Sequence, residues 1–300
     1  MARLELVGRP VRSQETSLAG TLTFGRLLQR LGQLVGAMLA YLTGAAFFLP
    51  FYWMVSTALK SPSQTFLSPP VWIPSPFVFQ NFPDAVNYIP FGMYTLNTLK
   101  IAIPSVMGTL LSCSLVGYGF ARIRAPGRDF LFYICLSTMM VPWAVTMIPV
   151  FIMFKNLGWT GTYLPLIVPH FFGNAYYIFL FRQFFLTIPM ELSDAATVDG
   201  CSQLGILTRV ILPLSKPIIV TVALFEFNRA WSDYLAPLIF LQRREQFTLA
   251  LGLTYFLDQQ LPMWNLAMAA TTVAVLPVVA IFLFAQRSFI EGVTLTGLKG

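Results

Sequence analysis

The feature that most constrains this chain is a series of long apolar stretches that carry almost no charge. The first runs from Arg30 to Lys60 without one charged residue between them. A helix needs about 20 apolar residues to cross the hydrocarbon core of a bilayer. This criterion predicts six spans, near residues 32–57, 95–119, 131–153, 163–181, 217–240 and 264–285. We therefore expect an all-α, polytopic membrane protein with six transmembrane helices.

The composition supports a membrane protein and argues against other classes. Charged residues make up 10% of the chain, whereas soluble domains carry about a quarter. A soluble helical core would need helices with polar faces, and only the predicted fifth span shows notable polar groups. The net charge of +7 could suggest nucleic acid, but no Lys/Arg cluster is interleaved with aromatic residues as single-strand binding requires. We therefore expect membrane lipid, and no nucleic acid, around this chain.

The cysteines and the histidine predict no disulfide framework and no metal site. Cys113, Cys135 and Cys201 are odd in number and widely spaced. His170 is the only histidine, which argues against a His-based zinc site. A lone histidine in an apolar run is most often a hydrogen-bonded packing residue.

The chain divides into four parts by composition. They are a polar, basic tail (1–30), the first span with the loop after it (31–92), a core transmembrane domain (93–288) and a short second tail (289–300). Pro, Ser and Asn are frequent in 61–92, which predicts an irregular loop with turns. The first tail lacks a small-residue cleavage site after a short apolar core, so we expect no cleaved signal peptide.

The basic residues predict the orientation of the spans. With the N-terminus inside, inner segments carry thirteen Lys and Arg residues, and outer segments carry four: Lys60, Lys155, Arg243 and Arg244. Cytoplasmic loops are enriched in Lys and Arg. Both termini and the long segment 182–216 are therefore predicted to be cytoplasmic.

A short polar helix is predicted inside that segment. Pro189 suits a first helical turn, and Glu191 near the N-terminus complements the helix dipole. Ala195 and Ala196 favour helix, and Gly200 suits a left-handed helix stop.

A second helix follows the glycine. Ser202 is a good N-cap, and Pro213 and Pro217 are expected to bound its end. The local pattern leaves two interpretations open. The two helices either merely connect the fourth and fifth spans, or they form a rigid knob whose alanines enter a partner surface and whose acids fix its register.

At these residues the sequence resembles the EAA loop of binding-protein-dependent ABC transporter permeases. The motif is ELSDAATVDG (Glu191 to Gly200), followed by Leu212-Pro213 and Pro217. Departures are Asp194 where the family prefers Glu, Cys201 for Ala and Leu207 for an aromatic residue. Further segments resemble the carbohydrate-uptake branch and its maltose-type second permease: YTLNTLKIA (94–102), YGFARIRAPGRD (118–129), WSDYLAPLIF (231–240) and FIEGVTLTGLKG (289–300).

The resemblance implies a type I importer permease in a bacterial or archaeal cell membrane. Such a chain pairs with a homologous second permease over two ATP-binding subunits, and an extracytoplasmic solute-binding protein delivers the sugar. The chain itself is expected to be non-catalytic and to bind no cofactor, with ATP-Mg held by the partner subunits. The EAA loop (187–217) would contain the coupling helix that docks on an ATPase, through Glu191, Asp194, Ala195, Ala196, Asp199 and Gly200.

The sequence itself agrees with the expectation that partner subunits hydrolyse ATP. The sequence contains no G-x-x-x-x-G-K-[ST] phosphate loop. If transport uses ATP, another subunit must hydrolyse it.

The predicted fifth span carries an unusual set of charges. Glu226, Arg229 and Asp233 lie at i, i+3 and i+7, a spacing that places them on one helix face. Charges inside a membrane are costly and are expected to pair. They either form a structural ion pair at the partner interface or line the solute path, and both interpretations stay open. The candidate path residues are Asn174, Tyr177, Glu226, Asn228, Arg229, Trp231 and Asp233.

Other residues in the spans predict helix packing. Further candidate pathway residues are Asn97, Tyr176, Trp264 and Asn265, although hydrogen bonding between helices is more common than substrate contact. Gly108 and Ser112 predict a close helix crossing. Kinks are expected at Pro104, Pro142, Pro149, Pro165 and Pro169.

Two other functional classes compete with a permease. A polytopic membrane enzyme would need a cluster of carboxylates, His or Cys at one membrane face, and the sparse acids of the EAA loop do not provide one. An ion-coupled carrier would explain the charges of the fifth span, but not the polar helix and its glycine, and no inverted repeat is evident. The residues do not identify the sugar.

Overall fold

The computed structural model describes the backbone of residues 15–257 and 262–297 and the side chains of residues 31–257 and 262–286. Within these ranges every regular element is helical, which confirms the all-α prediction. The chain divides into two units, one ending at Met54 and one beginning at Val55.

Fourteen α-helices lie in the part of the chain that is described. In chain order they are α1 (Glu15–Ala58), α2 (Asn81–Tyr88), α3 (Phe91–Arg122), α4 (Arg128–Ser137), α5 (Trp143–Asn156), α6 (Leu164–Ile167), α7 (Ala175–Thr187), α8 (Met190–Val198), α9 (Gln203–Ile206), α10 (Leu212–Leu214), α11 (Lys216–Ser232), α12 (Leu235–Phe240), α13 (Leu249–Leu253) and α14 (Trp264–Gly297).

The number of candidate membrane spans among the described residues is four, or six if bent helix pairs count as one span each. The four are Leu31–Ala58, Phe91–Arg122, Leu164–Thr187 and Trp264–Gln286. The bent pairs are Arg128–Met140 with Trp143–Asn156, at 97°, and Gln203–Leu214 with Lys216–Ser232, at 83°. The upper count equals the six predicted spans.

The first unit presents apolar surface along α1. Every side chain from Leu31 to Tyr52 is exposed. A helix that is apolar all round and lacks a polar face is suited to lipid. The helix begins at Glu15, so it extends well before the predicted span.

The predicted third span is not one straight helix. α4 continues as a 3₁₀ turn over Thr138–Met140, and α5 starts at Trp143. Val141 is extended, with ψ 112°, because the ring of the following Pro142 disfavours helical geometry in the residue before it. The kink expected at Pro142 is therefore a sharp bend.

The predicted fifth span is shorter than expected. α11 ends at Ser232, and the side chain of Asp233 accepts a hydrogen bond from the Ala236 backbone N–H at 3.2 Å. A short acidic side chain that bonds to nearby backbone competes with helix continuation. The region up to Phe240 therefore forms a separate short helix, α12.

The core of the second unit is built around α3, which packs against α7 and α11. A Cβ atom on Gly108 would lie 2.6 Å from the Phe171 ring, and one on Gly117 would lie 2.7 Å from Cβ of Phe181. These contacts show that small residues allow close approach, and the crossing predicted at Gly108 is present. α14 packs against α2 and α11.

Candidate functional site

The first candidate site is an ion pair on α11. Nε of Arg229 lies 3.0 Å from both carboxylate oxygens of Glu226, and Nη2 lies 2.6 Å from Oε1. Nη1 of Arg229 lies 3.6 Å from Oδ2 of Asp233. The Glu226 side chain is 1% exposed and that of Arg229 is 38% exposed. The arginine therefore neutralises a buried carboxylate and reaches toward solvent.

His170 joins these three residues from another element, the 3₁₀ helix Val168–Phe172. Its Nε2 lies 2.9 Å from Nη2 of Arg229, and its Nδ1 lies 3.3 Å from Oε1 of Glu226. The Tyr177 hydroxyl on α7 also interacts with Glu226. The charged cluster, defined as His170, Glu226, Arg229 and Asp233, thus joins α11 to the segment before α7. The sequence predicts a hydrogen-bonded packing residue at His170 but does not identify Arg229 and Glu226 as its partners.

A cavity of about 770 Å³ opens beside the charged cluster. His170, Arg229 and Asp233 provide charged or ionisable groups on its wall. Most of the remaining wall is apolar, as in small-molecule sites that combine apolar surface with few polar groups. Its aromatic side chains are Trp143, Phe154, Trp159, Phe172 and Phe240.

Three predicted path residues have other surroundings. The Asn174 side chain caps α7 by accepting from the backbone N–H of Tyr176 at 3.0 Å and, more weakly, that of Tyr177 at 3.4 Å. The Trp231 indole donates to the Ala274 carbonyl at 3.1 Å and is buried. Asn228 is exposed on α11. The structure therefore brings together Tyr177, Glu226, Arg229 and Asp233, whereas the Asn174 and Trp231 side chains hydrogen-bond to the backbone of α7 and α14.

The second candidate site is the helix–glycine–helix segment. α8 follows extended Pro189 and stops before Gly200, whose φ is +80°. The Ser202 side chain accepts from the Gly205 N–H at 3.2 Å and caps α9. The predicted left-handed stop and N-cap are therefore both present.

The second helix of this segment continues beyond α9. A π-helical turn over Leu207–Ile211 leads into α10, and the break falls at Ser215. Pro213 thus lies inside the last turn, whereas Pro217 starts the next helix.

The two faces of α8 differ. Ser193 and Ala196 are buried, and Ala196 packs into a core cluster with Phe185 and Ile206. Ala195 is exposed. Adjacent helix residues point about 100° apart, so the two alanines do not share a face. This corrects the expectation that both enter a partner surface.

The outward face of α8 carries residues that the sequence argument did not select. Leu192 is 42% exposed and Val198 is 87% exposed. The acids predicted at this site, Glu191, Asp194 and Asp199, are also exposed. The sequence gives only a weak indication of this exposed apolar pair, because Leu192 and Val198 are six residues apart and lie among polar residues.

No metal centre is apparent in the described side chains. Among them, no group of three or more His, Cys, Asp or Glu residues is placed to hold a metal ion.

Apolar spans, a charged cluster beside an internal cavity and a short polar helix beyond the spans define a helical membrane transport subunit. The model of the family "Binding-protein-dependent transport system inner membrane component" matches residues 113–294. The chain belongs to this family. As its membrane component, the chain is non-catalytic, and the ATPase is a separate subunit.

Relatives of similar length support the assignment. The chain is 34% identical over 233 residues to the arabinooligosaccharides transport system permease protein AraQ of Halalkalibacterium halodurans, covering 77% of this chain and 82% of AraQ. It is 30% identical over 266 residues to the lactose transport system permease protein LacG of Rhizobium radiobacter, covering 89% and 96%.

A solved structure has the same fold. It is the crystal structure of a bacterial ABC transporter involved in the import of the acidic polysaccharide alginate, with a TM-score of 0.73 and 22% identity. The match covers 94% of this chain and 100% of that chain. This likeness supports the importer permease fold.

Proposed function

We propose that this chain is a permease subunit of an ATP-driven importer for a sugar or sugar-like solute. With a homologous second permease it forms the membrane pathway, an extracytoplasmic binding protein delivers the solute, and two partner subunits bind and hydrolyse ATP-Mg. The observation that carries the proposal is the exposed helix α8, which follows Pro189 and ends before a left-handed glycine, in a chain of this family. The named sugars of AraQ and LacG support a carbohydrate.

The coupling site is the outward face of α8. Leu192 and Val198 expose apolar surface at a position that the apolar spans do not need for insertion. Exposed apolar surface rimmed by polar groups is typical of interaction sites. Glu191, Asp194 and Asp199 provide that rim and can pair with basic or N–H groups of an ATPase. Ala195 lies between them, so a cleft can approach the helix closely.

The solute pathway includes the cavity beside the charged cluster. Its aromatic walls suit the apolar faces of sugar rings, and Arg229 and Asp233 supply a hydrogen-bond donor and acceptors. Tyr177 and Glu226 support these groups from behind, and exposed Asn228 extends the polar surface. Asn174 and Trp231 hold α7 and α14 by hydrogen bonds to the backbone in this scheme.

We further propose that the protein lies in a bacterial or archaeal cell membrane with both termini and α8 in the cytoplasm. The thirteen-to-four distribution of Lys and Arg supports this orientation. Several of those basic residues lie in 1–14, outside the described residues. Single cysteines at Ser13 and Ser63, in a background without Cys113, Cys135 and Cys201, should be labelled from opposite sides. Labelling of both from outside intact cells would contradict the topology.

Reconstitution tests the function as a whole. The permease pair, ATPase subunits and binding protein are assembled in proteoliposomes and given neutral and acidic oligosaccharides. We expect uptake that needs ATP and the ATPase subunits. Uptake that follows an ion gradient without them would support the carrier alternative and reject the proposal.

Docking by α8 is tested by co-purification. Val198→Asp should reduce the ATPase recovered with the permease pair, because it places a charge on the apolar contact. Val198→Ile keeps the surface apolar and is the matched control. If Val198→Asp binds ATPase as the control does, α8 is not the docking site.

A further inference from the structure

Arg122, at the C-terminal end of α3, contacts the segment that leads from α7 into α8. Nη2 of Arg122 donates to the carbonyls of Phe185 and Ile188, at 2.6 Å and 2.5 Å, and Nη1 lies 2.7 Å from Sδ of Met190. Arg122 is only 7% exposed. The last carbonyls of a helix lack partners within it. Arg122 therefore closes the end of α7 and fixes the direction in which α8 begins.

The same end of α3 also holds the exit from α8. One turn before Arg122, the Tyr118 hydroxyl donates to Oε1 of Gln203 at 2.9 Å. Gln203 is the first residue of α9, just beyond the glycine turn. Both flanks of α8 are thus attached to a single turn of α3.

The opposite end of α3 is attached to the segment between α12 and α14. Nδ2 of Asn97 donates to the carbonyls of Glu245 and Phe247, at 2.7 Å and 3.1 Å. Oγ1 of Thr98 accepts from the Leu249 N–H at 2.8 Å. Asn97 and Thr98 are both buried. The backbone at residues 245–249 is therefore bonded to fixed positions on α3.

A close apolar contact reinforces this attachment. A Cβ atom on Gly252 would lie 2.3 Å from the Tyr94 ring, so α13 approaches α3 as closely as a glycine allows. Such contacts transmit displacement because packed interiors do not compress easily.

α3 is continuous between these two ends and has further attachments along it. Its 32 residues correspond to about 48 Å at about 1.5 Å per residue. Oγ of Ser105 donates to the Leu166 carbonyl at 3.2 Å, and Oγ of Ser112 donates to the His170 carbonyl at 3.0 Å. The helix is therefore also tied to the segment that carries the histidine of the charged cluster.

We propose that α3, which is uninterrupted at Pro104, is a strut that carries movement of α8 to residues 241–256 on the opposite membrane face. The proposal rests on the proposed function, in which α8 docks on the ATPase, and on the predicted outer position of the segment that carries Arg243 and Arg244. Arg122 and Tyr118 are positioning residues at one end, and Asn97 and Thr98 at the other. Movement of either surface shifts the other because both are hydrogen-bonded to one helix.

The test uses the complete importer in proteoliposomes. Tyr118→Phe and Thr98→Val each remove one hydroxyl with little change in volume. ATP hydrolysis is measured with and without sugar-loaded binding protein. We expect an unchanged unstimulated rate and a loss of stimulation of about fivefold, the effect of one net hydrogen bond on a two-state equilibrium. Leu111→Ala, at an exposed position of α3, is the control and should behave as the wild type.

The double variant distinguishes a strut from two local defects. If both ends act in series, Tyr118→Phe with Thr98→Val should lose little more stimulation than either single variant. Full stimulation in both single variants overturns the proposal. Fully additive losses, or an equal fall in the unstimulated rate, also overturn it, since they indicate independent structural damage.

Failure of the proposed function gives a different result. In that case Val198→Asp binds ATPase normally, or the wild type shows no ATP-dependent uptake. If docking and uptake hold while the two hydroxyl variants keep full stimulation, only the strut is rejected.

Discussion

Arg229 neutralises Glu226 with three contacts of 2.6–3.0 Å from its Nε and Nη2 atoms. The carboxylate is almost completely enclosed, whereas the guanidinium extends from it to the cavity wall. A buried charge without a partner costs several kcal/mol. The pair therefore places a positive group beside the cavity while keeping the acid behind it stable.

Arg229→Ala should destabilise the permease because it leaves the buried Glu226 carboxylate without its ion-pair partner. Removal of one partner from a buried pair costs about 3–5 kcal/mol. Thermal unfolding of the detergent-solubilised permease pair is the measurement. Adding Glu226→Gln should restore part of the loss, so the double variant is less damaged than the sum of the single variants. Strict additivity would show that the two side chains do not interact.

Asp233→Asn should be milder than Arg229→Ala. Its carboxylate lies 3.6 Å from Nη1 of Arg229, and its side chain is 23% exposed, so solvent screens the interaction. We expect a loss of stability below about 1 kcal/mol, as for exposed ion pairs. The Asn amide oxygen can still accept the hydrogen bond from the Ala236 N–H. A loss as large as that of Arg229→Ala would show that Asp233 is a full member of the buried pair.

His170→Leu should reduce stability because two buried polar contacts disappear together. The ring bridges Arg229 and Glu226 at 2.9 Å and 3.3 Å, and an unpaired buried polar group costs about 1–3 kcal/mol. His170→Gln keeps a donor and an acceptor and serves as the control. Thermal unfolding of both variants is compared. Equal stability of the Leu and Gln variants would show that the histidine acts by packing alone.

Ala196→Asp should damage the permease itself, whereas Ala195→Asp should not. Ala196 is 9% exposed and packs into the core, and Ala195 faces outward. A carboxylate in the core costs several kcal/mol or disrupts the local fold. Permease yield and thermal unfolding are measured first, and ATPase recovery second. If both variants are equally stable, the inward orientation of Ala196 is wrong.

Local sequence patterns predicted the elements that depend on neighbouring residues. The spacing of Glu226, Arg229 and Asp233 predicted their contacts, because helix geometry alone brings i, i+3 and i+7 together. Ser202 and Gly200 predicted a cap and a stop for the same reason. These features need no information about distant parts of the chain.

Features that depend on packing could not be predicted in this way. His170 reaches the charged cluster from 59 residues away, and no periodicity relates it to α11. The pair Ala195–Ala196 specifies a helix but not which alanine is covered. The prolines predicted bends without their size, so the 97° angle before α5 was not foreseen.

Gly200→Val should impair coupling while leaving the permease core intact. The backbone at Gly200 has φ +80°, and a left-handed conformation costs an L-residue about 1–2 kcal/mol, more for a β-branched one. No atom lies within 4 Å of the Cβ that a side chain would add there, so the harm comes from the backbone and not from a clash. We expect α9 to leave the turn in a different direction, with normal insertion and normal association with the second permease. ATPase recovery and stimulated hydrolysis should both fall. Gly200→Asn is the matched control, because asparagine tolerates this conformation and the space accepts its side chain. If the valine variant keeps the ATPase binding and stimulated turnover of the asparagine variant, the fixed turn is not needed for coupling.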